Sequence, residues 1–352
     1  MDIVLRNFFR LLRSGVFGQS EEVEPMSAWK WQQVYRLAKH HHVSALAYDG
    51  IGKCSDQFFM HLPETLAETW QQDCLRQEEI ARQRNEQVVH LINILAEQHF
   101  RPILLSGQAL ASIYPNPGHR AVELNVEVFF PFSTQGKKAD EWARQNGTAV
   151  SSTARHTLSY EWGGAHVVHR HRLARLMNRM NNHTLQGYIE RELLDSHNAY
   201  AEVDGRHVET VPPSLQLFLL ILCAAQSIVG GTLSLQQLLD IGVFLRTVGD
   251  QVDYVKLQDW ISGIHTVRMA QLISLLLQEL LRFTPEELPF VQRVPQVSLD
   301  KFLEDIYRGE DAESDDDSWS VRRSTRYLRY YPSEGVANLL SGFRRVIPQV
   351  EE

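Results

Sequence analysis

Apolar and polar residues change period twice between Ile103 and Pro131, ILLSGQALASIYPNPGHRAVELNVEVFFP. A short apolar run at Ile103–Leu105 reads as a strand that ends in a tight Ser106-Gly107 turn. Gln108 to Tyr114 then reads as a short helix, and Pro115-Asn116-Pro117-Gly118 as a second turn. From there Val122, Leu124, Val126, Val128 and Phe130 alternate with Ala121, Glu123, Asn125, Glu127 and Phe129. That period of two predicts a second strand with the aliphatic set buried and Glu123, Asn125 and Glu127 together on the opposite face.

Both flanks follow a helical period. Trp29–His41 and Glu64–Gln98 predict helices, the second with one apolar stripe through Leu66, Trp70, Cys74, Ile80, Val88, Leu91, Ile92 and Leu95. A helix over Lys137–Gln145 and two extended runs, Thr157–Trp162 and Ala165–Arg170, follow the central strand. Gly163-Gly164 joins the runs as a hairpin turn. Next come a helix from Thr184 to about His197, a hairpin over Tyr200–Thr210 around Asp204-Gly205, and helices at 214–229, 234–248, 254–264 and 267–282. Three more are predicted at 299–308, 321–331 and 335–346, with Pro332 breaking the last two. The fold class is α+β, a small mixed sheet with helices packed on it followed by a helical C-terminal domain. The expected domains are an N-terminal helical segment over 1–98 packing on the core, an α/β core over 99–210 and a helical bundle over 211–352.

Composition narrows the function classes. The chain has 352 residues, enough for a core without covalent staples, and only three cysteines, Cys54, Cys74 and Cys223. Their odd number and spacing indicate neither a disulfide framework nor a zinc site, and fit a reducing cytoplasm. A net charge of −8 argues against broad nucleic-acid binding. The amphipathic opening lacks a signal peptide's apolar core, and the longest apolar run, 215–229, is too short to span a bilayer. The run His40-His41-His42 suits a helix C-terminus better than a metal, because adjacent side chains on a helix diverge. An acidic run, Glu310–Asp317, reads as a solvated loop. Directly after it, Arg322, Arg323, Arg326, Tyr327, Arg329, Tyr330 and Tyr331 form the one concentrated basic and aromatic patch, which either pairs with that run or binds phosphate.

The candidate chemistry sits on the alternating strand. Acids at alternate strand positions share one side, and a nearby glycine turn lets backbone N–H groups approach phosphates. Together these are the skeleton of a metal-dependent phosphoryl-transfer site. Ser106 lacks the G-x-S-x-G surroundings of a nucleophile, and no G-x-x-x-x-G-K-[ST] occurs.

The order of Leu104-Leu105-Ser106-Gly107, then Tyr114-Pro115-Asn116-Pro117, Arg120 and Asn125–Phe130 resembles the polymerase-beta-type nucleotidyltransferase superfamily. It is most similar to a bacterial family of uncharacterised nucleotidyltransferases with the pattern L-K-G, Y-P-x-P, R and D-I-D. The segments 167–182, Leu185-Gln186, 230–240 and 326–334 resemble further elements of that family, so the likeness runs from about Trp29 onward. The resemblance implies a nucleotidyltransferase core whose catalytic acids fall at Asn125 and Glu127, with the third at Val168. It implies nucleotide contacts at Ser106, Gly107, Arg120, Arg326 and Arg329 and a metal contact at Glu127; Glu123, on the same predicted strand face, is weighed as a substitute metal ligand that gives Glu123, Asn125 and Glu127 as a displaced set. In this sequence the family's lysine is Ser106, its first acid is Asn125, its third acid is absent around Val167–His169, and the arginine of its G-L-R-Q element is replaced within Ser234-Leu235-Gln236-Gln237.

These departures predict a catalytically degenerate module that binds a nucleotide or a protein partner. The alternatives are an active nucleotidyltransferase moving an NMP group from an NTP to a small molecule or protein, or a purely structural interaction protein. Mg is expected only in the active case. No membrane role is expected. His169 and His171, alternate residues at the end of one run, are weighed as ligands for a softer metal such as zinc against a polar sheet face beside Arg170 and Arg172.

Overall fold

The computed structural model describes residues 2–58, 60–105, 107–153, 157–230 and 232–291, together with Pro332 and Val336. The helices expected at 299–308, 321–331 and 335–346, the acidic run at 310–317 and the basic patch at 322–331 lie outside the described residues, as does Ser106. The described chain is a mixed α+β structure, as the sequence predicts. It falls into two compact units, one built from residues up to Leu173 plus 193–212, the other beginning with 174–192 and resuming at Pro213.

The first unit opens with α1 (Ile3–Phe17), α2 (Ala28–His40) and α3 (Ser44–Lys53). Asp2 caps α1 and Ser27 caps α2. Helices α1 and α3 touch backbone to backbone. A Cβ added at Gly50 would overlap the Leu11 carbonyl, and one at Gly15 the Leu46 carbonyl. Helix α3 escapes the sequence pattern because SALAYDGIGK carries two glycines, yet one of them is what allows the contact. Helix α4 (Glu64–Glu97) follows, with Trp70 buried and its indole N–H donating to the Ser44 carbonyl at 2.9 Å.

A five-stranded sheet then forms in the order β1-β2-β5-β4-β3, from β1 (Ile103–Leu104), β2 (Asn125–Phe129), β3 (Thr148–Thr153), β4 (Thr157–Trp162) and β5 (Ala165–Arg170). Helix α5 (Gly107–Ala111) and a 3-10 turn (Pro117–His119) lie between β1 and β2, and α6 (Ser133–Asn146) between β2 and β3. Strands β2 and β5 are parallel; the other pairings are antiparallel. Val126, Val128, Leu158, Tyr160 and Val167 share one face, packed with Val88, Leu91, Ile92 and Leu95 of α4 and Ala139 and Ala143 of α6. The same core takes in Val203 and Val208 from the hairpin β6 (Ala199–Val203) and β7 (Arg206–Thr210).

The second unit contains most of α7 (Arg179–Asp195), then α8 (Pro213–Gly230), α9 (Leu235–Val248), α10 (Tyr254–Gly263) and α11 (Val267–Leu281). Ser234 and Gln237 form a reciprocal capping box at the start of α9. Tyr188 stacks on Trp260, and Lys256 pairs with the buried Glu192 at 2.9 Å. Among the described residues no helix is long and apolar enough to cross a membrane.

One buried histidine joins the helices to the sheet's connecting loop. The ring of His119 is sandwiched between Asp49 of α3 (Nδ1 to Oδ2, 2.8 Å) and Glu78 of α4 (Nε2 to Oε1, 2.7 Å), and Gln77 donates to its carbonyl at 2.7 Å. Burial disfavours the imidazolium, but the hydrogen bonds and charges of Asp49 and Glu78 outweigh it and raise its pKa above the ordinary value. A raised folded pKa means the folded state binds more protons, so this stabilisation is complete below about pH 6.5 and fades as pH rises through the folded value. His119→Gln is therefore expected to lower stability by about 2 kcal/mol near pH 6. The gap to the parent should narrow toward pH 8 when both are followed by urea denaturation.

Candidate functional site

Strand β2 starts at Asn125, four residues after the alternation begins at Ala121. Glu123 is therefore not on the strand with Asn125 and Glu127, and Leu124, expected to be buried, is 85% exposed. The cause is polar: Arg84 of α4 donates to the Leu124 carbonyl at 2.8 Å, and Arg120 holds the Glu123 carboxylate at 3.0 Å. These contacts commit residues 121–124 to a connecting loop.

The face opposite the core carries the residues of interest. Glu127 lies across from Val168 in the parallel β2–β5 register, and Asn125 across from His166. One step along β5, Arg170 reaches back to Glu127 and grips it with two hydrogen bonds, Nε to Oε2 at 2.8 Å and Nη2 to Oε1 at 2.5 Å. His166 Nδ1 meets Glu161 of β4 at 2.6 Å on the same face. The position that the strand pattern marks for a metal-binding acid is thus neutralised by a guanidinium. Its neighbours are an amide and a valine.

That donor set does not fit a hard divalent cation. Such an ion needs several anionic oxygens converging on one point, whereas Asn125 offers a neutral carbonyl, Val168 offers nothing and both Glu127 oxygens are bonded to Arg170. Glu123 points elsewhere, one oxygen on Arg120 and the other accepting from the Gly107 N–H at 3.2 Å. Among the described residues no group of three or more His, Cys, Asp or Glu side chains is arranged to hold a metal.

Gly107 and Arg120, expected at the nucleotide, are brought together. The guanidinium lies so close to Gly107 that a Cβ there would overlap it, and Arg120 Nη1 also donates to the Ala121 carbonyl at 3.1 Å. Arg326 and Arg329 lie outside the described residues.

A family model described as uncharacterised nucleotidyltransferase matches residues 27–282 of this sequence. The chain belongs to that family. The match takes in α2 through α11, so the nucleotidyltransferase region spans the sheet and the helices after it. No curated protein and no solved structure matches the chain.

On the core side of the nucleotidyltransferase sheet lies a second polar group that sequence reasoning only half located. His169, weighed as a zinc ligand or as part of a polar sheet face, is fully buried. Its Nδ1 meets Asp140 Oδ1 at 2.9 Å and its Nε2 the Tyr160 hydroxyl at 3.0 Å. His171 Nε2 takes the other Asp140 oxygen at 2.8 Å. Both imidazoles therefore converge on one carboxylate, and neither nitrogen of His169 is left for zinc. Burial lowers the pKa of His169 despite Asp140, so the ring is neutral. A carboxylate only accepts, so His169 donates from Nδ1 and Tyr160 donates to Nε2. Asp140 was missed because it sits on α6, far from β5 in sequence; its position on the helix face bearing Ala139 and Ala143 was the available signal.

Asp140 is itself buried, which opposes ionisation, but the His169 and His171 contacts prevail and hold its pKa below the usual range. A lowered folded pKa gives stability that is present above about pH 4 and is lost as pH falls through the folded value. Asp140→Asn is expected to cost about 2 kcal/mol at neutral pH. The difference from the parent should shrink in acid, as read by denaturation at a series of pH values.

Proposed function

We propose that this member of the nucleotidyltransferase family binds an anionic ligand, a nucleotide in the simplest case, without transferring a nucleotidyl group. The observation that carries the reading is the Glu127–Arg170 pair facing Val168. The guanidinium spends its charge and these two hydrogen bonds on Glu127, and it cannot bridge a triphosphate to an attacking hydroxyl as a pair of cations does. Mg is accordingly not part of the resting site. The cysteines Cys54, Cys74 and Cys223, none of them in a disulfide, support a reducing cytoplasm as its setting. A protein partner would read the bound or empty state of this site.

Pyrophosphate release from each of the four common NTPs should stay at the level of buffer alone with either Mg2+ or Mn2+. Calorimetric NTP affinity should be the same with EDTA as with Mg2+. Metal-dependent pyrophosphate release that disappears in Glu127→Gln would overturn the proposal.

A further inference from the structure

The Arg120–Glu123 pair is lopsided. The Arg120 side chain is 3% exposed and hemmed in by Gly107, whereas the Glu123 side chain is 46% exposed and hangs from a loop without regular structure. The cation is trapped and the anion is not. Both Glu123 oxygens are nevertheless engaged, Oε1 by Arg120 Nη2 at 3.0 Å and Oε2 by the Gly107 N–H at 3.2 Å. A buried guanidinium and a backbone N–H thus converge on one small oxyanion, supplied by the most exposed part of the arrangement.

We infer that Glu123 is a resident substitute for phosphate oxygens, and that the end of a polyphosphate chain displaces it to bind Arg120 and Gly107. The inference rests on reading this family member as one that binds without transfer. A terminal phosphate carries more charge than a carboxylate and offers three acceptor oxygens instead of two, so it satisfies the same donors. Displacement needs only rotation of a half-exposed side chain. Its cost is competition: a tethered carboxylate acts as an inhibitor at millimolar or higher effective concentration, which keeps affinity in the parent low. Removing its charge releases that inhibition.

The test uses the full chain, EDTA and inorganic tripolyphosphate, with binding read by calorimetry. Glu123→Gln keeps the shape and an acceptor for Arg120 but not the charge. It should bind tripolyphosphate at least about tenfold more tightly than the parent. Hydrogen–deuterium exchange should then show ligand-dependent protection of the peptide containing Gly107 in Glu123→Gln. A gain smaller than tenfold, or a gain without protection at Gly107, overturns the inference. A parallel titration with ATP separates the sources: equal affinity means that the phosphate chain alone is read, and tighter ATP binding means that the nucleoside adds contacts. No metal or turnover enters this measurement. Metal-dependent pyrophosphate release by the parent, measured separately, would therefore identify failure of the preceding reading, whereas failure of this titration alone would leave that reading in place.

Discussion

An imidazole held between two carboxylates fixes where the candidate site begins. His119 ends the turn that follows the Tyr114–Pro117 stretch, and its contacts to Asp49 and Glu78 tie that turn to α3 and α4. Arg120 is the next residue, so the direction in which its guanidinium enters the interior follows from the His119 anchor. Gly107 receives it, Glu123 closes over it, and β2 can start only after the loop that these contacts shape. The helices before the sheet are therefore more than a covering layer. They set the register of the segment that carries the candidate chemistry.

Charge balance explains how the sheet keeps this form. Acids on adjacent strands of a polymerase-type site repel one another unless a cation sits between them. Here the compensating charges are covalently part of the chain: Arg170 on the neighbouring strand for Glu127, and Arg120 on the preceding turn for Glu123. Each acid is satisfied locally and the strands need nothing else to stay together. Bidentate geometry also makes arginine a poor exchange for lysine at position 170, because a single ammonium would leave one Glu127 oxygen without its in-plane donor.

Much of this architecture was legible in the residues. Strands β4 and β5 stood out through Gly163-Gly164, both with positive φ, and the core of β2 through Val126 and Val128. Other elements were hidden for identifiable reasons. Strand β3, TAVSST, is a polar edge with little apolar alternation to reveal it. Loop 121–124 continued an alternating pattern that hydrogen bonds from Arg84 and Arg120 overrode. In the site, Glu127 and Asn125 were recognisable by spacing, but the partner of Glu127 was not. Pairing it with Arg170 requires the register of two parallel strands separated by a helix and a hairpin, and local sequence does not encode that register.

Helix α4 touches nearly every part of the first unit. Over its 34 residues it presents Trp70 to α3, Asp73 to Tyr35 and Lys39 of α2, Gln77 and Glu78 to His119, Arg84 to the loop before β2, and Val88 through Leu95 to the sheet. These contacts are spread along roughly 50 Å of one rigid rod. Inserting or deleting a single residue anywhere between Asp73 and Val88 would turn everything beyond it by about 100° and break all the later contacts together. The length of this helix is thus locked as firmly as any side chain on it, and a change along it can reach the candidate site only by substitution.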